Sequence, residues 1–135
     1  MIRPDSLRKK AATPKRKDLR ILVVEDHRDT RRTIAYLLRH FGHEIFVADS
    51  VEKALDACEA HEFDAVVSDI RLPDGTGYDL IAQVKRQQPV TAIALTGLGK
   101  AEDLRHSKEA GFDYHLTKPV DFHELRTLLG RIGSQ

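Results

Sequence analysis

Five times between residues 19 and 133, a short apolar run is followed by a stretch with helical spacing. The first run, 19–24 (L-R-I-L-V-V), is almost unbroken, as in a strand buried on both faces. Behind it Ile34, Leu37, Leu38 and Phe41 fall at i, i+3, i+4 and i+7. That spacing predicts an amphipathic helix over 28–41, with Gly42 at its C-cap. Further strands are expected at 44–48, 64–69, 90–96 and 112–117. Ser50 is placed to cap a second helix that turns Val51, Ala54, Leu55 and Cys58 inward. A third spans 78–88 and is stopped by Pro89. A fourth, 100–110, has few apolar residues and is expected to be loosely held and to end at Gly111. Asp121 and Glu124 form a capping-box pattern for a last helix with Phe122, Leu125, Leu128, Leu129 and Ile132 facing in. Five such units with short connections imply an α/β fold: a five-stranded parallel sheet with helices on both faces.

In a sheet of this kind all strand ends share one rim, and ligands bind just outside it. The first strand runs into Glu25 and Asp26, and the third ends on Asp69, ahead of the loop I-R-L-P-D-G-T-G. The fourth ends in Thr96 and the fifth in Lys118-Pro119. Asp49, after the second strand, has no expected role. Three carboxylates on neighbouring strand ends repel one another, by roughly 4 kcal/mol per pair at ~4 Å and an effective dielectric near 20. A lysine, protons or a metal must offset that. Lys118 neutralises one charge, and the remainder makes a hard-oxygen site suited to Mg²⁺. Thr96 and Lys118 are both phosphate-binding groups. Singly, each residue has an ordinary reading: acids at a helix N-terminus, a strand threonine, a surface lysine. On successive strand ends of one sheet they compose a carboxylate nucleophile, a cation site and two groups for a phosphoryl group.

The chain has 135 residues, 41% hydrophobic and 32% charged, enough for one globular domain. Its single cysteine, Cys58, excludes an internal disulfide and is read as core packing. No apolar run approaches the ~20 residues of a membrane span, and no apolar segment follows the basic N-terminus, so a cytoplasmic protein is expected. Charge is unevenly spread: residues 1–18 net +5 and the remainder −4. The 1–18 arm, with Pro4 and Pro14, reads as flexible linker or tail. A nucleic-acid contact through it is the alternative, weakened by the lack of any aromatic residue to stack a base.

Over residues 19–133 the chain resembles the receiver domains of two-component response regulators. The resemblance rests on Glu25-Asp26, the D-I-R-L-P-D-G-T-G stretch from Asp69, Thr96, and Lys118-Pro119, in that order. It implies a flavodoxin-like (βα)5 fold with strand order 2-1-3-4-5. It also implies that Asp69 accepts a phosphoryl group from a phosphohistidine on a sensor histidine kinase or histidine phosphotransfer protein. Asp26 and Asp69 would ligate Mg²⁺, with Glu25 acting directly or through water and the Arg71 backbone carbonyl completing the set. Thr96 would bond the phosphoryl oxygens and move inward, Lys118 would pair with them, and the 97–99 loop with the helix after it would shift. The chain would phosphorylate and dephosphorylate itself without turning over an external substrate. No DNA-binding output domain is expected after Ile132, so output would run through a partner protein. The chain would be a stand-alone regulator or part of a longer protein such as a hybrid kinase.

Four positions depart from the family's usual pattern. Glu25 stands where Asp is commoner. His115 stands at the switch position, usually aromatic; it is read as a rotating switch sensitive to pH or as a plain surface histidine. Gly97 leaves room beside the phosphate. Arg71 puts a cation at the site mouth. The remaining histidines, His27, His40, His43, His61, His106 and His123, are read as surface residues. An aspartyl phosphatase would need a second Asp where Arg71 stands, and a flavin or dinucleotide binder would not place Glu25 and Asp26 against phosphate.

Overall fold

The computed structural model describes residues 18–97 and 101–133. Residues 1–17 of the expected arm, and Leu98, Gly99 and Lys100 of the expected moving segment, lie outside the described residues. The elements are β1 (Arg20–Val24), α1 (Arg28–His40), β2 (Glu44–Ala48), α2 (Val51–Ala60), β3 (Ala65–Asp69), β4 (Arg71–Leu72), β5 (Gly75–Thr76), α3 (Gly77–Gln87), β6 (Thr91–Thr96), α4 (Ala101–Ala110), β7 (Tyr114–Thr117) and α5 (Phe122–Gly133). The main sheet is parallel throughout, in the order β2-β1-β3-β6-β7. Counting its strands alone, that is the expected 2-1-3-4-5.

Alternation along the strands divides the core in two. Ile21, Val23, Val67, Ile93, Leu95 and Leu116 pack under α1 and α5, against Ile34, Leu38, Leu125 and Leu129. Leu22, Val24, Val66, Ala92 and Ala94 face the other way, onto Ala54 and Cys58 of α2 and Leu80, Ile81 and Val84 of α3. Because both faces are covered, the strands carry nearly continuous apolar sequence, the pattern seen in 19–24. Burial pushes the Cys58 thiol up to about 11, so it packs rather than reacts near neutral pH. No helix among the described residues is long and apolar enough to cross a membrane.

The helix ends follow the sequence signals. Ser50 accepts the N–H of Lys53, Asp121 accepts those of His123 and Glu124, and Gly42 takes a φ of +100° after α1. Several expectations are corrected. The loop after Asp69 holds a pairing that the sequence reading does not include: Arg71 and Leu72 pair antiparallel with Thr76 and Gly75, a hairpin too short to show any alternation. The third helix begins at Gly77, because Thr76 caps it by accepting the Asp79 N–H. His43 is not a plain surface residue. It is half-buried, and its Nδ1 accepts the backbone N–H of Leu19 at 3.0 Å, joining the entrances of β1 and β2. Burial lowers its pKa, against the opposing pull of Asp18 and Asp64. His61 is also half-buried, its ring 4.4 Å from that of Phe46, while His106 stacks on Tyr78 at 3.9 Å.

Candidate functional site

β1, β3, β6 and β7 deliver the expected residues to one rim. Glu25 leaves β1 fully covered, 1% exposed, while Asp26 beside it is exposed. The Glu25 carboxylate has both oxygens engaged: Oε2 accepts the His27 N–H at 3.0 Å and Oε1 accepts the Lys118 ammonium at 2.9 Å. Asp69, at the end of β3, accepts the N–H of Ile70 at Oδ1 (2.9 Å) and Lys118 Nζ at Oδ2 (3.0 Å). A single ammonium thus bridges two carboxylates from two strands. Lys118 is further fixed through its backbone N–H, which donates to the Thr96 carbonyl at 2.7 Å.

The charges at the rim act on each other. Burial raises the pKa of Glu25, and the Asp69 charge adds to this, while the His27 N–H and Lys118 pull the other way. Burial acting alone would lower the pKa of Lys118. Its hydrogen bonds to Glu25 and Asp69, and their charges, more than reverse that and hold the ammonium charged. Glu25, Asp26 and Asp69 each bring one carboxylate oxygen within 4.8 Å of the others. Three hard oxygens so close, one of them on an exposed side chain, fit a small divalent cation that keeps part of its water.

Thr96 is 4% exposed, and its Oγ1 has no hydrogen-bond partner among the described residues. His115 pairs in register with Ala94, two residues before Thr96, so strand alternation puts all three side chains on one face of the sheet. The surface reading of His115 is corrected here: it is half-buried, and its Nε2 is fully covered and unpartnered among the described residues. Burial, then the charge of Lys108, lowers its pKa. Gly97 is exposed, and a Cβ built on it would meet nothing within 4 Å, so the room there does not depend on glycine. Arg71 is exposed and opens the hairpin two residues past Asp69.

Arg31 was not visible as a site residue in the sequence. From the first turns of α1 its Nη1 donates to the carbonyls of Glu25 (3.1 Å) and Asp26 (3.4 Å). It holds the acidic pair by its backbone and leaves the carboxylates to the site. No sequence signal marked it, because the spacing of a helical arginine does not show which strand exit its guanidinium reaches.

The family model described as the response regulator receiver domain matches residues 21–130. A 14.6 kDa protein of Leptolyngbya boryana is 37% identical over 112 residues, 81% of this chain and 86% of its own length. The response regulator protein PilR of Pseudomonas aeruginosa is 34% identical over 110 residues, 80% of this chain and 24% of PilR. The chain therefore spans about a quarter of that longer relative. Among solved structures, the receiver domain of a sensor histidine kinase from Pseudomonas aeruginosa PAO1 superposes with a TM-score of 0.77 at 32% identity, covering 87% of this chain and 99% of that one. That structure has a magnesium ion coordinated in its active-site cleft.

Proposed function

Because this chain belongs to the response regulator receiver domains and is a receiver of a two-component system, we propose that Asp69 is its phosphoacceptor and Mg²⁺ its cofactor. The donor is a phosphohistidine on a sensor histidine kinase or a histidine phosphotransfer protein. The N–P bond breaks as an Asp69 carboxylate oxygen bonds phosphorus, and the leaving imidazole takes up a proton from solvent. The observation that carries this reading is the Lys118 ammonium held between Glu25 and Asp69. A fixed positive charge thus stands against Asp69, at the end of β3, whose carboxylate keeps some exposure (14%) while that of Glu25 is covered (1%).

Glu25, Asp26, Asp69 and the Arg71 backbone carbonyl would hold Mg²⁺, which when bound neutralises phosphoryl oxygens and favours in-line transfer. The magnesium in the Pseudomonas receiver supports that identity. Phosphoryl transfer asks mainly for positioning and charge neutralisation, and these residues supply both. After transfer Lys118 pairs with the new phosphoryl oxygens. Thr96, whose hydroxyl lacks a partner among the described residues, turns to donate to one of them. His115, on the same face, follows into the space Thr96 leaves. The altered surface is then read by a partner protein. The chain turns over no external substrate; its chemistry is its own phosphorylation and the hydrolysis of the resulting acyl phosphate.

The test is direct. Incubated with Mg²⁺ and acetyl phosphate, the wild type gains about 80 Da by intact mass, one phosphoryl group. Asp69→Asn gains none. An unmodified wild type, or an adduct of the same size on the variant, sinks the assignment.

A further inference from the structure

We propose that Asp74 is a positioning residue for the phosphoacceptor site: it fastens the loop after Asp69 to the N-terminus of α2, and so holds the Arg71–Thr76 hairpin at the spacing the cation requires. The inference rests on the reading of Asp69 and Mg²⁺ given above.

Asp74 lies at the tip of the hairpin, yet its side chain serves a helix that precedes it by more than twenty residues. Oδ1 accepts the N–H of Val51 at 2.8 Å and Oδ2 that of Glu52 at 3.0 Å. These are the first two N–H groups of α2, which have no acceptor inside the helix. The third, on Lys53, goes to Ser50, the helix's own cap. The end of α2 is therefore shared between a local residue and a distant one. A carboxylate gripping two successive N–H groups fixes direction as well as distance, and its charge complements the positive end of the helix. The same two N–H groups lower the pKa of Asp74, which keeps it ionised. The backbone beside it has little slack: a Cβ on Gly75 would stand 3.3 Å from Val51 Cγ2.

The other end of the hairpin is tied to Ile70, the residue after Asp69. Gly77 donates its N–H to the Ile70 carbonyl at 2.7 Å, and a Cβ on Gly77 would collide with the Asp69 carbonyl oxygen. Arg71, whose carbonyl is the proposed cation ligand, lies between the two anchors. A pair of two-residue strands does not hold its own shape in water. Leu72, between the anchors, is seated in the core, but without Asp74 the hairpin loses its hydrogen-bonded tie to α2, and the Arg71 carbonyl is held less closely relative to Asp26 and Asp69. A role confined to capping α2 would change thermal stability and leave cation affinity alone, which separates the two explanations.

The experiment measures Mg²⁺ binding to the full chain by isothermal titration calorimetry for wild type, Asp74→Ala and Asp74→Asn. Alongside, the rate of phosphorylation by acetyl phosphate is followed against Mg²⁺ concentration. Asp74→Ala is expected to weaken Mg²⁺ binding about tenfold, the effect of losing an outer support of a metal site. Asp74→Asn, which keeps one good acceptor, falls between. The Mg²⁺ concentration for half-maximal phosphorylation shifts in parallel, while the rate at saturating Mg²⁺ stays within about twofold. Affinities equal to wild type in both variants overturn the proposal, as does a loss of maximal rate at unchanged half-saturation. Should Asp74→Ala not fold, Asp74→Asn carries the test alone. A wild type that binds Mg²⁺ and is phosphorylated keeps the reading of Asp69 whatever the Asp74 variants do; a wild type that does neither removes both.

Discussion

Glu25 carries a charge in a place that disfavours it. Its carboxyl is buried and faces Asp69, and Lys118 with the His27 N–H only partly compensates. The sign of the consequence follows from linkage. The folded pKa lies above the ordinary 4.5, so the folded state binds the proton more tightly. That contribution to stability is present below the ordinary value and is lost as pH rises through the folded one. Glu25→Gln keeps the shape without the charge. In metal-free buffer near neutral pH it is expected to melt above wild type and to bind Mg²⁺ more weakly, by calorimetry for both. An unchanged or lower melting temperature counts against this account. Asp69, Asp26, Thr96 and Lys118 were legible in the sequence because each stands where an apolar run stops. Arg31 and Asp74 were not, because each acts on an element it does not belong to: a helix residue on a strand exit, a loop residue on a helix start.

The junction of β3 with α3 is where one element depends most closely on another. Gly77 opens the helix against the Asp69 carbonyl, with no space for a side chain. Gly77→Ala is expected to cost about 1–3 kcal/mol, the range for overpacking, and to slow phosphorylation by moving Asp69. Gly97→Ala, at a position open on all described sides, should stay within about 0.5 kcal/mol. Urea denaturation compares them, and equal costs would mean that the contact beneath Gly77 yields without strain. The strands and helices themselves were readable because burial on both faces and 3.6-residue spacing leave separate imprints. The hairpin left none. Two-residue strands have no period, and in L-P-D-G only the turn chemistry shows.

At the scale of the molecule, acid stability has a contribution from His43, at the end of the sheet opposite the rim. Its folded pKa is below the ordinary 6.5, and its Nδ1 serves as an acceptor, which requires the neutral ring. The contribution is complete above 6.5 and declines as pH falls through that value toward the folded one. As pH falls through 6.5 wild type should lose stability more steeply than His43→Gln. Parallel curves of unfolding free energy against pH would remove His43 as a cause. The layered architecture was legible from the alternation alone, whereas ties such as His43 to Leu19 were not, since a histidine between polar neighbours shows nothing of its partner. One tie bears on the order in which the protein is made. Lys118 reaches Glu25 across 93 positions of sequence and Asp69 across 49, and its backbone reaches Thr96. Contacts so distant along the chain close late, because the intervening loop entropy must be overcome first. During synthesis the acidic cluster emerges long before its lysine. Competence to receive a signal is therefore among the last properties the chain acquires, and a nascent or partly folded copy carries Asp69, the proposed acceptor, without its lysine counter-ion.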